Sequence, residues 1–249
     1  MASLTQLPRR VVADASSAAT SAVSAAVTAV GDVVRIPLRP LLPSNSVDDW
    51  GRDDHLIQAL SPYIRMRWAV TVGTHHHLPA HNGALLVTNQ RRYSLSPMYV
   101  AWALGQAIGR PVRFVGRPDI APVGAALRRL GGLLHDPAEV EGALRHGELV
   151  VLGTSPTNHP RHAGAVDHEI VGAAVMAGVH VFPVASMSAR LGRSARADVG
   201  PMVRNRHNRR GPLAEVELSE AVQRSLQKML DEFGGTYTGV APIDWLGEG

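Results

Sequence analysis

The chain has 249 residues, of which 45% are hydrophobic and 18% are charged. This balance is typical of a globular protein with enough length for one large, well-filled core. There is no cysteine, which excludes disulfides, thiolate metal sites and cysteine nucleophiles. The net charge of +4 suits a phosphate-bearing partner or an anionic membrane surface, but it identifies neither.

Residues 1–45 differ in composition from the rest of the chain. The segment Val11–Val34 is rich in Ala, Ser and Val, with valines at helical spacing, and it predicts a helix. The segment Ile36–Pro43 then breaks that helix with three prolines among large apolar residues. Two interpretations stay open: a loosely packed tail, or an interfacial membrane anchor with Arg35 and Arg39 at the lipid headgroups.

No segment predicts a transmembrane helix or a secretory signal. The uncharged stretch in residues 15–30 contains four serines and two threonines, which make it too polar and too short to span a bilayer. We therefore expect a cytoplasmic protein, with peripheral association at the inner face of the cell membrane as an option.

Residues 46–249 alternate apolar runs with helical patterns and predict one α/β domain. Its mixed, mainly buried sheet is expected to be flanked by helices. The run Ala84–Val87 predicts a buried strand, and the next helix is expected to begin with Ser96 as its cap and to end at Gly109. The segment Asn89–Leu95 is therefore a loop at the carboxyl end of a strand, where catalytic groups often lie in α/β proteins.

The remaining elements are predicted in chain order from the same signals. The expected strands are Trp68–Val72, Val112–Val115, Leu149–Leu152 and Val179–Phe182. The expected helices are His55–Leu60, Asp119–Leu130, Glu139–Arg145, Val166–Ala177 and a last amphipathic helix capped by Ser219. The basic stretch Ala189–Gly211 is assigned no element.

Three segments together resemble the glycerolipid acyltransferase family, which includes the lysophosphatidic acid (1-acylglycerol-3-phosphate) acyltransferases. That family carries Asn-His-x4-Asp after its first buried strand, where this chain has Asn89, Gln90 and Leu95. It carries Glu-Gly-Thr-Arg after a later strand, where this chain reads Leu-Gly-Thr-Ser from 152 to 155. A further apolar strand ends in Pro-Val in both, here at Pro183. The Trp-Gly-Arg-Asp segment at Trp50–Asp53 resembles actinobacterial members of the family.

The resemblance implies transfer of an acyl group to a lysophospholipid hydroxyl. The donor would be acyl-CoA or an acyl carrier protein, with no cofactor or metal. At the degenerate motif positions Asn89, Gln90 and Leu95 the base and its orienting carboxylate are gone, since a glutamine amide cannot accept a proton at neutral pH. We therefore expect a catalytically degenerate protein, a pseudoenzyme in lipid metabolism, that still binds lipid or acyl groups. Its substrate-binding candidates are Arg91, Arg92, Gly153 and Thr154.

Two alternatives stay open. One is an active acyl-CoA-dependent glycerolipid acyltransferase with a non-standard base. His162 and Asp167 have the spacing of the family dyad by chance, and His135-Asp136 lies nearer the old pocket but is expected in a surface turn. The other is a basic scaffold that binds protein or nucleic acid through Arg190–Arg210. Aromatic residues are not interleaved there, so no nucleic acid partner is expected.

The histidines at His75–His77 and His81 invite a metal interpretation. Sequential histidines in a loop do not converge on one ion without a defined backbone, and no carboxylate stands at ligand spacing. We expect a solvated loop and no metal.

Overall fold

A computed structural model describes residues 47–92, 94–159, 161–188, 194–204 and 211–236, with side chains as far as 233. The strands in these ranges are β1 Ala69–Gly73, β2 Ala84–Thr88, β3 Val112–Val115, β4 Gly132–Leu133, β5 Leu149–Gly153, β6 His180–Ser188 and β7 Ser194–Val199. The helices are α1 Asp54–Arg67, α2 Ser96–Ile108, α3 Val123–Arg129, α4 Pro137–Arg145, α5 His168–Ala177 and α6 Pro212–Thr236.

The strands form one mixed sheet in the order β1-β7-β6-β2-β5-β3-β4. Strands β2 to β6 run parallel to one another, β7 pairs antiparallel with β6, and β1 pairs parallel with β7. Strands β2 to β6 therefore all end at the same side of the sheet, which we call the carboxyl edge. The expected α/β domain with a mixed, helix-flanked sheet is confirmed.

The core consists of two apolar layers, one on each face of the sheet. Helices α4, α5 and α6 cover one face, where Leu85, Val150 and Ile170 are fully buried. Helices α2 and α3 cover the other face, where Leu86 and Leu104 are fully buried. All five residues of β2 are buried because this strand lies at the centre of the sheet with helices on both faces.

Ion pairs hold the segment before α1 against the domain. Asp53 caps α1 by accepting a hydrogen bond from the Leu56 N–H. Its other carboxylate oxygen forms an ion pair with the Arg129 guanidinium at 2.6 Å. On β3, Arg113 is fully buried and pairs with Asp48 at 2.6 Å and with Glu148 at 3.2 Å. The two carboxylates compensate a charge that would otherwise be very costly to bury.

Several sequence expectations were wrong in detail, and three of them bear on the site or on the basic stretch. Strand β7 lies within the basic stretch left without an element, where residues alternate between exposed and buried. Helix α6 begins at Pro212, so Ser219 is a buried position inside it. Helix α2 begins at Ser96, so Leu95 takes the cap position without a side-chain hydrogen bond, and the Ser96 hydroxyl contacts that of Ser94 at 2.8 Å.

The predicted N-terminal helix and the segment Ile36–Pro43 lie outside the described residues, as do Arg190, Arg193 and 205–210 of the basic stretch. Across the described ranges, no helix combines the length and the apolar character that a membrane span requires.

Candidate functional site

Asn89 anchors the loop that follows β2 to the end of β6. Its side-chain N–H donates to the Ser186 carbonyl at 2.8 Å, and its side-chain oxygen accepts from the Ser186 N–H at 2.7 Å. The Ser186 hydroxyl also donates to the Asn89 side-chain oxygen at 3.1 Å and accepts from the Thr88 hydroxyl at 3.1 Å. All three residues are buried, so the polar groups at this point are mutually satisfied.

Gln90 is held against the end of β5. Its N–H donates to the Thr154 hydroxyl at 3.2 Å, and its carbonyl accepts from the Thr157 N–H at 3.0 Å. Its carboxamide oxygen lies over Gly153, where a Cβ would overlap it unless the Gln90 side chain shifted. The structure therefore brings together the loops after β2 and β5.

The two arginines of the loop differ in their contacts. The backbone of Arg91 forms an isolated parallel β-bridge with Thr157, and its guanidinium donates to the Ser188 carbonyl at 3.3 Å. The Arg92 N–H donates to the Thr157 carbonyl at 2.9 Å, and its side chain is exposed. Leu95 is partly buried at the start of α2. Two positive charges thus stand beside the carboxyl edge.

A histidine and a carboxylate also meet at the carboxyl edge. His135 follows β4, and its Nε2 lies 2.6 Å from Oδ2 of Asp167, the residue that caps α5. This hydrogen bond raises the pKa of His135 above its ordinary value and lowers the pKa of Asp167, while partial burial opposes both shifts. Asp136, the neighbour of His135, caps α4.

His162 does not pair with Asp167, although the two have the spacing of the family dyad. Its ring packs against that of His159, with centroids 5.1 Å apart. The partner of Asp167 is His135, which lies 32 residues away along the chain.

The histidine loop forms a single 3₁₀ turn at His75–His77. No group of three or more His, Asp or Glu residues within the described ranges could hold a metal ion. One cleft of about 540 Å³ borders this turn and Arg110, and another of about 660 Å³ lies between residues 47–51 and α3. Gln90 lines neither cleft.

This fold has a counterpart among solved structures. The crystal structure of the 1-acyl-sn-glycerophosphate (LPA) acyltransferase PlsC from Thermotoga maritima matches with a TM-score of 0.54 and 15% sequence identity, over 74% of this chain and 82% of that chain. The chain therefore has the fold of a glycerolipid acyltransferase. No protein-family model and no curated protein sequence matches it.

The sequence analysis missed two parts of this arrangement. Ser186 follows the Pro-Val of β6 by two residues, and only the register between β6 and β2 shows that it faces Asn89. The His135–Asp167 pair was missed because each residue was considered with a neighbour in sequence. A signal was nevertheless present, since Asp167 stands directly before a helical pattern, where an aspartate is a typical cap.

Proposed function

We propose that this chain is an acyltransferase-fold protein of lipid metabolism that binds an acylated, phosphate-bearing lipid at the carboxyl edge. We further propose that its first loop does not catalyse acyl transfer. The observation that carries the proposal is the position of Gln90, whose main chain is hydrogen-bonded to Thr154 and Thr157 where the resemblance places the catalytic base.

The chemistry of the loop supports the second half of the proposal. Residues 89–95 contain neither a carboxylate nor an imidazole, so they offer no group that accepts a proton near neutral pH. Leu95 cannot orient a histidine even if one stood at position 90. Leu152 and Ser155 further replace the Glu and Arg of the family pattern, which removes a bidentate ligand for phosphate.

Lipid binding is supported by the charge of the same edge. Arg91 and Arg92 lie next to the loop that carries Thr154, and guanidinium groups suit phosphate recognition. Association with an anionic membrane surface, with help from residues 1–45, belongs to the same proposal.

The transfer half is tested with purified protein, an acyl-CoA and lysophosphatidic acid. We expect no appreciable transfer, because a positioned general base contributes a factor of about 10²–10⁴. Gln90→His alone should help little, since its imidazole lacks an orienting carboxylate. The pair Gln90→His with Leu95→Asp is the informative variant. Robust transfer by the unmodified protein would overturn this half of the proposal.

The binding half is tested by co-sedimentation with vesicles that contain phosphatidic acid. Replacing both Arg91 and Arg92 by Ala should weaken partitioning by about 30-fold, because each basic group near an anionic surface contributes about 1 kcal/mol. Arg224→Ala, an exposed arginine on α6, is the matched control and should have a smaller effect. If the full-length protein stays in the supernatant at low salt, the proposal fails. Stronger binding to nucleic acid at matched salt would favour the scaffold alternative.

A further inference from the structure

His135 and Asp167 form a hydrogen-bonded pair. One carboxylate oxygen of Asp167 accepts from the Glu169 N–H at 2.9 Å and from the Ile170 N–H at 3.4 Å, as the cap of α5. The other oxygen lies 2.6 Å from Nε2 of His135. The helix therefore fixes the carboxylate, and the carboxylate fixes the imidazole.

The pair belongs to the same edge as Gln90. Strand β4 ends two residues before His135, and β4 runs parallel to its neighbour β3 and hence to β5 and β2. The Ser155 N–H donates to the Ala165 carbonyl at 2.8 Å. Asp167 follows Ala165 by two residues, a reach of about 7 Å at most, so it lies close to the loop that holds Gln90.

The chemistry of the pair is what the first loop lacks. With Nε2–H donated to Asp167, the lone pair of the imidazole is on Nδ1, which has no hydrogen-bond partner within the described ranges. A carboxylate that orients an imidazole also stabilises the imidazolium formed when it accepts a proton. Glu169 adds a second negative charge nearby, which favours the same state.

We propose that His135, oriented by Asp167, is a general base that promotes hydrolysis of an acyl thioester bound at the carboxyl edge. The proposal rests on the acyl binding proposed above and assigns chemistry to that site. His135 Nδ1 takes a proton from water while the water oxygen attacks the thioester carbonyl. The C–S bond then breaks, and the imidazolium returns the proton to the departing thiolate. The products are a carboxylic acid and a thiol.

Water is the nucleophile that fits this pair best. The His135 side chain is 53% exposed and that of Asp167 is 32% exposed, so solvent reaches the imidazole without a binding site of its own. A lysolipid hydroxyl would instead have to be positioned there, and the family's phosphate ligand is replaced by Ser155. Hydrolysis without transfer to lysophosphatidic acid is the outcome we expect.

Thiol release from palmitoyl-CoA tests the proposal directly. Because the chain contains no cysteine, a thiol reagent reports only the released coenzyme. The unmodified protein should release thiol above the buffer rate, and His135→Gln should lower the rate by about 10²–10⁴-fold. His162→Gln, which changes another histidine on a neighbouring loop, should leave the rate unchanged.

Substitutions at Asp167 separate catalysis from helix capping. Asn is as good a cap as Asp, so Asp167→Asn keeps the end of α5 but removes the charge. We expect it to lower the rate and to move the midpoint of the pH–rate profile to lower pH. Asp167→Ala, which also removes the cap, should lose stability in addition.

Three results would overturn the proposal: no thiol release above buffer by the unmodified protein, full activity of His135→Gln, or an unchanged pH profile in Asp167→Asn. Binding of palmitoyl-CoA, measured by calorimetry, is the separate readout for the proposed function. If the unmodified protein binds neither palmitoyl-CoA nor vesicles that contain phosphatidic acid, the proposed function fails; if it binds the vesicles but not palmitoyl-CoA, only the present inference fails. If the unmodified protein and His135→Gln bind palmitoyl-CoA equally tightly and neither of the two hydrolyses it, only the present inference fails.

Discussion

At the scale of single residues, the Asn89 side chain holds the start of the first loop in place through two hydrogen bonds, as backbone hydrogen bonds hold a strand. Its amide donates to and accepts from the main chain of Ser186, at 2.8 and 2.7 Å, in a buried position. This reciprocal contact extends the β2–β6 pairing by one residue beyond Thr88. The loop therefore starts from a fixed point, and this sets the position of everything that follows it.

Asn89→Ala should destabilise the protein by about 2–4 kcal/mol, because it leaves the Ser186 N–H and carbonyl buried without partners. Urea unfolding followed by circular dichroism measures the change. Arg92→Ala, an exposed position on the same loop, should stay within about 0.5 kcal/mol. Equal stability of the two variants would show that the Asn89 contact is not needed.

Gly153→Ala should destabilise by about 1–3 kcal/mol, because its Cβ would overlap the Gln90 carboxamide oxygen and crowd Pro97. Gln90→Ala removes the first of these neighbours. In a double-mutant cycle measured by urea unfolding, the two changes together should therefore cost less than the sum of each alone. Strict additivity would show that the two residues do not interact.

The proximity of Gln90 and Thr154 could be expected from the resemblance, because the two segments match motifs that face one another in the acyltransferase family. The role of Ser186 could not, because it depends on a register between residues 97 positions apart. Short-range patterns place a residue at a strand end, but they do not say which strand end it faces.

At the scale of elements, the His135–Asp167 hydrogen bond joins the starts of two helices. Asp136 caps α4 and Asp167 caps α5, so one histidine links the two helix ends where both begin. The two helices pack against each other along one face of the sheet. The bond is therefore a joint between neighbouring helices as well as a candidate for chemistry.

This joint should make stability depend on pH. The folded pKa of His135 is raised above 6.5, so its contribution is full below 6.5 and is lost as pH rises through the folded value. The folded pKa of Asp167 is lowered below 3.8, so its contribution is full above 3.8 and is lost as pH falls through the folded value. The stability lost in His135→Gln, measured by urea unfolding, should be largest at about pH 4–6 and smaller at pH 9. A difference that does not vary with pH would contradict this.

The type of most elements could be predicted from the spacing of hydrophobic residues, but the residues at which they begin and end could not. Helix α5 was expected to begin at Val166. It begins at His168, because Asp167 is its N-cap and has non-helical backbone angles. Strand β7 was hidden because alternate small and charged residues, Ser-Ala-Arg-Ala-Asp-Val, resemble a solvated loop. It is a strand because Ala195, Ala197 and Val199 pack into the core beside β1 and β6.

At the scale of the whole molecule, Arg113 ties the segment before α1 to the sheet. Its guanidinium is fully buried, with Asp48 from that segment on one side and Glu148, just before β5, on the other. Arg52 lies nearby, and burial lowers its pKa. A buried cation of this kind is tolerated only while its carboxylates are present.

Glu148→Gln should therefore destabilise by about 3–5 kcal/mol, because it leaves the Arg113 charge only partly compensated. The triple change Arg113→Met, Asp48→Asn and Glu148→Gln should cost less than this single change, because it removes the buried Arg113 charge together with its two carboxylates and leaves Arg52 paired with Asp54. Thermal unfolding compares the variants. Glu220→Gln, which breaks an exposed pair on α6, should alter stability by less than about 1 kcal/mol. A triple variant weaker than the single one would contradict the argument.

The way Gln90 is held has a consequence for which positions tolerate mutation. Its loop position is set by its own N–H and carbonyl, by Thr154 and Thr157, and by the Asn89 side chain, so the identity of residue 90 matters little to folding. A different side chain at position 90 should therefore carry little folding penalty. In a saturation-mutagenesis library sorted for folded protein, positions 89, 153 and 186 should accept few substitutions, while position 90 should accept many. The shape of this edge is therefore set by residues other than the one at position 90.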